Sequence, residues 1–406
     1  MSQPREESSS KYAQWGKEQL VERVLELEQE MRSHAVKVPR AGKAKKQRPL
    51  DFSKHNKRFI ALRFAYLGWN YNGLAIQKTP TPLPTVEGTL IDAMNKCKLI
   101  PSTDPSDFKF SRCGRTDRGV SAMNQVVSLM VRSNLTPEEQ MDPTNDNREI
   151  DYINILNSLL PDDVKIHAVC LRPPDGFDAR FSCVSRHYKY LFHRGDLDIE
   201  AMQTAAGYYL GEHDFRNFCK LDGSKQITNF KRSMLVSQIL ELNDGLCCFD
   251  LEGSAFLWHQ VRNMVAVLFL VGQRLEKPEI VKELVDVDNY PTKPLFEMGA
   301  DFPLVLYDCK FEGLEWKHAY ENTKAEKTCT VVYSNWLENN IKSQVSRFMM
   351  DLFPEPNMEH MKPKVKINTG DGVGKVVGEY VPLAKRERHD SYEEVNDRWL
   401  KKQKNK

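Results

Sequence analysis

The sequence predicts an α/β (α+β) protein built from two ferredoxin-like lobes joined side by side, with mixed or antiparallel sheets and helices on one face. Three observations carry this. From Arg58 onward, segments with apolar residues at every second position alternate with segments apolar at helical spacing. The order of these segments in the first half of that region recurs in the second. The chain also has 406 residues, 40% of them hydrophobic, which is enough for two sizeable cores.

The elements follow in order. Residues 1–57 divide into a helix and a basic linker. Within Lys11 to His34, Leu20, Val24, Leu27 and Met31 form a heptad seam of about two heptads, short for a self-sufficient coiled coil. The linker holds Pro39 and Pro49. The first lobe, 58–180, opens on a strand in which Ile60, Leu62, Phe64 and Tyr66 share a face. Thr85 can N-cap a helix carrying Val86, Leu90, Met94 and Cys97. Val127, Leu129 and Val131 mark a strand, Ile153 to Leu160 a helix and Val164 to Leu171 a strand. In the second lobe, 181–316, Arg186, Tyr188, Tyr190 and Phe192 fall on one face of a strand. A helix over Ile199 to Leu210, strands over Met234 to Leu240 and Leu246 to Leu251, an apolar helix over Leu257 to Arg274 and a strand over Leu304 to Phe311 complete it. Residues 317–406 read as a C-terminal extension with a basic tail. There Thr369 to Gly374 reads as a flexible loop and Ser391 to Trp399 as a short helix.

Charge is unevenly placed. Val36 to Arg58 carries nine Lys/Arg against one acid, and Met361 to Lys406 carries twelve against seven. These segments together hold +13 in a chain of net +2, so the remainder is net −11. Basic arms beside an acidic body attract polyanions, RNA or DNA above all, although Lys43, Lys45, Lys46 and Arg48 would also serve nuclear import. The longest apolar run, Met264 to Val271, is too short to span a bilayer, and the polar start, Met1 to Lys11, has no apolar signal core. The expectation is an intracellular protein of the nucleus, the cytoplasm or both, with no membrane contact. Nine cysteines without a Cys-x-x-Cys pair argue against structural zinc and a disulfide framework.

The sharpest local signal is Cys113-Gly114-Arg115-Thr116-Asp117-Arg118-Gly119-Val120-Ser121-Ala122, a glycine-bracketed loop between two strands. Flanking arginines favour an ionised Asp117. In isolation Asp117 is a turn residue. Four further stretches keep it company: Tyr66-Leu67-Gly68 with Tyr71-Asn72-Gly73, Gln77 and Thr85-Val86-Glu87-Gly88; Phe177 to Ser182 followed by Arg186-His187-Tyr188-Lys189-Tyr190; Gly211-Glu212-His213-Asp214-Phe215; and Ala255-Phe256-Leu257-Trp258-His259-Gln260-Val261-Arg262-Asn263-Met264.

In this order, over residues 59 to 311, the motifs resemble tRNA pseudouridine synthases of the TruA family. Ser121, Arg118 and Leu74 depart from the bacterial pattern. The Asp-Arg-Gly-Val-Ser wording, Asp308-Cys309-Lys310-Phe311 and the basic extensions look most like the eukaryotic branch that modifies tRNA positions 38 and 39. The resemblance implies an isomerase that turns uridine into pseudouridine, with Asp117 as nucleophile, Tyr188 stacked on the uracil and Arg262 paired with Asp117. Arg115 would fill the space left by the flipped base or hold the phosphate beside it. Arg118, Arg180, Arg186, Lys189 and Arg194, with the basic linker, are candidates for RNA contacts. A homodimer with tRNA across both subunits and an RNA cleft between the lobes are implied as well.

The chemistry breaks the bond from C1′ to N1, turns the base and joins C1′ to C5, with no net redox change or hydrolysis, so no cofactor or metal is expected. Whether the carboxylate adds to the base or assists elimination to a glycal is open at this level. Rival readings are other tRNA positions, a non-catalytic tRNA-binding protein, and a nucleosidase or base glycosylase, which usually needs a second carboxylate. A zinc deaminase would need paired cysteines that are absent.

Overall fold

The computed structural model describes residues 15, 16, 18, 19, 22, 23, 50–77, 79–321, 325–353 and 364–404. The expected heptad seam, Leu20 to Met31, and the basic run from Lys43 to Arg48 lie outside the described residues. Residues 1–51 form a separate unit, in which Glu18, Gln19, Glu22 and Arg23 are helical. All that follows concerns residues 52–404.

In chain order the principal elements are β1 (Asn56–Tyr66), α1 (Val86–Lys96), β2 (Ser111–Arg112), β3 (Ser121–Ser133), α2 (Tyr152–Asn157), β4 (Val164–Cys170), β5 (Ser185–His193), α3 (Ile199–Gly207), β6 (Gly211–Asp214), β7 (Lys231–Glu241), β8 (Leu246–Gly253), α4 (Gln260–Gly272), α5 (Ile280–Val285), β9 (Leu304–Lys310), β10 (Lys317–His318), α6 (Glu326–Asp351), β11 (Val365–Ile367), β12 (Lys375–Val377) and α7 (Tyr392–Lys404). One ten-stranded sheet runs β10, β4, β1, β3, β9, β5, β8, β7, β6, with β2 also paired to β3. Within it β4-β1-β3-β2 and β9-β5-β8-β7 repeat one antiparallel order, in which the fourth strand of each half lies beside the first and the third beside the second. That is the ferredoxin-like arrangement, present twice. The halves meet at the sheet's one parallel contact, Ser121 with Val305 and Ala122 with Leu306.

Local chemistry explains the helices. The Thr85 hydroxyl accepts from the Gly88 amide at 3.2 Å, and Asp151 and Asp198 cap α2 and α3 in the same way. Every residue of α4 except Arg262 is buried, as expected of a helix apolar all round. One hydrophobic cluster gathers Ile60, Leu62, Phe64, Leu90, Met94 and Leu129; the other gathers Phe249, Leu251, Met264, Leu268 and Phe269, and Tyr188 packs against both.

Three features differ from the sequence reading. Thr369 to Gly374 is an ordered β11–β12 turn rather than a flexible loop: Asp371 accepts from the Val373 and Gly374 amides, and Gly370 (φ 82°) lies so close to Tyr190 that a Cβ there would fall 2.4 Å from its hydroxyl. The 26-residue α6 has no counterpart in the sequence reading. Arg58, the last cation of the basic Val36–Arg58 segment, faces inward.

Arg58 is 3% exposed and donates to the Leu171 carbonyl, the Gln140 carbonyl and Glu149 Oε2 at 3.0 Å. Glu149 also accepts from the Ser133 hydroxyl and the Asn134 and Ile150 amides. Desolvation alone would raise the Glu149 carboxyl, but these donors together hold it below the ordinary carboxylate range. Removing one partner of such a pair strands the other charge in the interior. Arg58→Met is expected to lower stability by about 3–5 kcal/mol, read as a fall in the urea midpoint with an unchanged slope.

Candidate active site

The loop Cys113–Val120 leads straight into the seam residue Ser121, so its conformation is set where the two lobes join. The opening strand clamps it. Tyr66, buried at the end of β1, shares a 2.6 Å hydrogen bond with the Thr116 hydroxyl, and the Leu74 amide donates to the Thr116 carbonyl. Gly68 donates to the Ser121 hydroxyl at 2.9 Å, and a Cβ on it would lie 2.0 Å from the Val120 carbonyl oxygen. Gly73 has φ 83°, with room for no Cβ against the Thr116 carbonyl. The Tyr/Gly spacing of the opening motif is therefore the socket of the Asp117 loop. Glu87 completes the support, accepting from Arg112 and from the Ile76 amide.

The second lobe brings α4 to the same point. His259 adopts the left-handed conformation (φ 62°) just before the helix, a strained turn of the kind that collects at functional sites. It aims two side chains at one carboxylate: Trp258 Nε1 donates to Asp117 Oδ1 at 3.2 Å, and His259 Nε2 lies 3.4 Å from Oδ2. Burial pushes the His259 imidazole below its ordinary pKa; Asp117 opposes this, while Arg262, Lys220 and Lys293 add to it. The half-buried carboxylate thus faces a neutral imidazole and an indole N–H.

The expected ion pair between Asp117 and Arg262 is not made: no such contact within 4 Å occurs, and Arg262 Nε donates instead to the Gly299 carbonyl at 2.8 Å. Trp258 and His259, four and three residues before Arg262 in the same motif, have no role assigned to them by the sequence. Tyr188 stands where the lobes meet, its ring edge-on to Phe256 at 4.9 Å, and burial pushes its phenol far above the ordinary range. A bulge in β9 at Tyr307, opposite the step from His187 to Tyr188, resets the register there.

The basic candidates separate. Arg115 and Arg118 are exposed on the Asp117 loop with no ion pair among the described residues. Arg180 is exposed, 5.1 Å over the Phe181 ring. Arg186 is a staple: its guanidinium donates to the Cys113, Cys183, Arg180 and Ser254 carbonyls, tying the start of the Asp117 loop to the second lobe. Lys189 points to the sheet face opposite Tyr188, 3.3 Å from Asp250 and over the Tyr307 ring. Arg194 pairs with Glu241. Among the described residues no His/Cys/Asp/Glu group has the arrangement of a metal site, and no helix is long and apolar enough to cross a membrane.

Comparison with known proteins gives the family. A family model described as tRNA pseudouridine synthase matches residues 205–312. The chain is 57% identical to the tRNA pseudouridine(38/39) synthase of Saccharomyces cerevisiae over 97% of its own length and 93% of the relative's. It is 40% identical to the human protein of the same name, over 84% and 76%. It is 33% identical to tRNA pseudouridine synthase A of Methanothrix thermoacetophila, over 64% and 85%. A chain from an archaeal box H/ACA sRNP Nop10–Cbf5 complex aligns over 52% of this chain and 44% of its own with a TM-score of 0.23 and 13% identity, too low for a structural argument.

His259 should titrate below its ordinary value of about 6.5 in histidine-selective NMR. Because Asp117 is the group that raises it, Asp117→Asn should move that titration to still lower pH. An upward shift in the variant would show that the two side chains do not face each other.

Proposed function

The chain belongs to the tRNA pseudouridine synthase family and is an isomerase of that kind; on that premise we propose that it converts uridine to pseudouridine at positions 38 and 39 of tRNA, with Asp117 as nucleophile. The observation that supports this most is the convergence of both lobes on the Asp117 carboxylate, the first through Tyr66, Gly68 and Gly73, the second through Trp258 and His259.

The reaction breaks C1′–N1, forms C1′–C5, releases the C5 hydrogen and returns a proton to N1. The Trp258 N–H donates to one oxygen of Asp117 and the His259 ring lies beside the other, so the carboxylate is oriented before substrate arrives, the preorganisation that makes an electrostatic site effective. Tyr188 acts as a neutral phenol, stacking on the uracil and exchanging hydrogen bonds rather than serving as a phenolate. The terminal nitrogens of Arg262 remain for the substrate. The target base must leave its stack, at a cost of about a few kcal/mol; Arg115, exposed on the loop beside Asp117, is the side chain that takes the vacated space or the phosphate there. Arg118 and Arg180 contribute backbone contacts.

The enzyme acts as a homodimer through α6. Tyr333, Leu337, Ile341, Val345, Phe348 and Leu352 are spaced four, four, four, three and four residues apart, and all are exposed. On the other side of this helix, Asn335 donates to the Asp162 carbonyl of the first lobe. A continuous apolar stripe of this length belongs in an interface, and a second copy supplies the same stripe for an isologous contact.

Two outcomes are expected. Pseudouridine mapping on unmodified tRNA transcripts, in EDTA and without added cofactor, should show modification at positions 38 or 39 by the wild type and none by Asp117→Ala. Light scattering should give a dimer for the wild type and a monomer for Ile341→Asp with Phe348→Asp.

A further inference from the structure

Behind His259, between the second lobe and the C-terminal segment, lies a cavity of about 400 Å³. Its walls come from the stretch after β6, the start of α4, residues 291–298 and the approach to α7. Lys293 lines it. The Lys293 ammonium donates to Asn263 Oδ1 at 2.7 Å and lies 4.6 Å over the Phe296 ring, and no carboxylate comes within 4 Å of it among the described residues. Burial pushes this ammonium down to about 8, the mark of a cation lacking a counter-ion. Lys220, over the Trp258 ring at 4.6 Å, is a second cation on this wall without a carboxylate partner.

The nearby acids are already engaged. Asp390 pairs with Arg398, and Asp214 takes Arg216 through both of its oxygens. Phe296 and Met298 give the cavity an apolar side. Asn263 connects the cavity to the reaction site: its amide donates to the His259 carbonyl while its oxygen holds Lys293, and the His259 ring faces Asp117. An unneutralised ammonium, a second free cation and an apolar wall match a phosphate joined to a flat heterocycle.

We propose that this cavity binds a phosphate-bearing nucleotide of the RNA substrate next to the target uridine, with Lys293 meeting the phosphate. The assignment rests on the tRNA reading above. A free mononucleotide offers the same chemistry, and the test separates the two sources.

The experiment compares the full-length wild type and Lys293→Gln in pseudouridine formation on tRNA transcripts from 50 to 200 mM KCl, alongside titration with adenosine 5′-monophosphate at constant ionic strength. Loss of one phosphate contact should raise KM about tenfold, with the loss appearing in KM, and should lower the salt slope of binding by about one. Adenosine 5′-monophosphate should compete with tRNA in the wild type and lose that competition in the variant. An unchanged KM and salt slope overturn the proposal. If the nucleotide binds the wild type while the tRNA slope stays the same in Lys293→Gln, the cavity belongs to a free nucleotide and the RNA assignment is wrong. Should Lys293→Gln fold poorly, the exposed Lys220→Gln is expected to give the same fall in slope, and its absence counts against the proposal equally. A wild type that binds tRNA and forms no pseudouridine would instead defeat the catalytic reading, leaving the salt slopes to judge the cavity.

Discussion

The parallel contact between β3 and β9 is the constraint on which the site depends. It is only two residue pairs long, yet the Asp117 loop enters β3 at one of them, and β9 carries the strand beside Tyr188. The two cores also cross it: Leu306 and Cys309 of β9 are buried in the first lobe's cluster, and Val120 of the Asp117 loop is buried in the second's. What the junction adds is registry: it fixes the distance at which a loop of the first lobe meets the N-terminal turn of α4 from the second. The absence of side chains at Gly68 and Gly73 lets the first lobe press its backbone against the loop, and Arg186, donating to the Cys113 carbonyl and to those of Arg180, Cys183 and Ser254, ties down the loop's other end. The carboxylate is thereby placed by backbone packing more than by its own bonds.

This placement changes the electrostatic picture that an arginine partner would give. A guanidinium bound to Asp117 would neutralise it and compete with substrate for its lone pairs. An indole N–H donated to one oxygen, with an imidazole whose charged form burial disfavours near the other, leaves the charge uncancelled. Arg262 meanwhile is held by the Gly299 carbonyl, and Gly299 has no room for a Cβ against Val265 and the Arg262 carbonyl. The guanidinium is thus anchored away from an ion pair with Asp117.

Much of this was legible in the sequence, for identifiable reasons. Alternation in β1, the Thr85 cap and the apolar girdle of α4 are local signals, and each marks its element within a few residues. The repeated element order gave both lobes, because one topology applied twice produces one pattern twice. Most of the misses are long-range. Nothing near Arg186 in the chain says that four carbonyls from three segments converge on it, and Arg58 looks like part of a solvated linker until Glu149 is folded against it. The β11–β12 turn gains order by docking Gly370 on Tyr190, about 180 residues away in sequence. Trp258 and His259 were in view within a motif, but only the left-handed turn at His259 shows that both face Asp117. The long α6 is polar enough overall, and its apolar stripe shallow enough, to pass for tail.

On the proposed function, the carboxylate of Asp117 carries the chemistry and other groups dock the RNA. Release of tritium from tRNA labelled at C5 of uridine tests it most directly, measured for wild type and Asp117→Asn alongside tRNA affinity. Expected are tritium release by the wild type, release at background for the variant, and affinities within about twofold of each other. Release by Asp117→Asn at a rate near that of the wild type would contradict it.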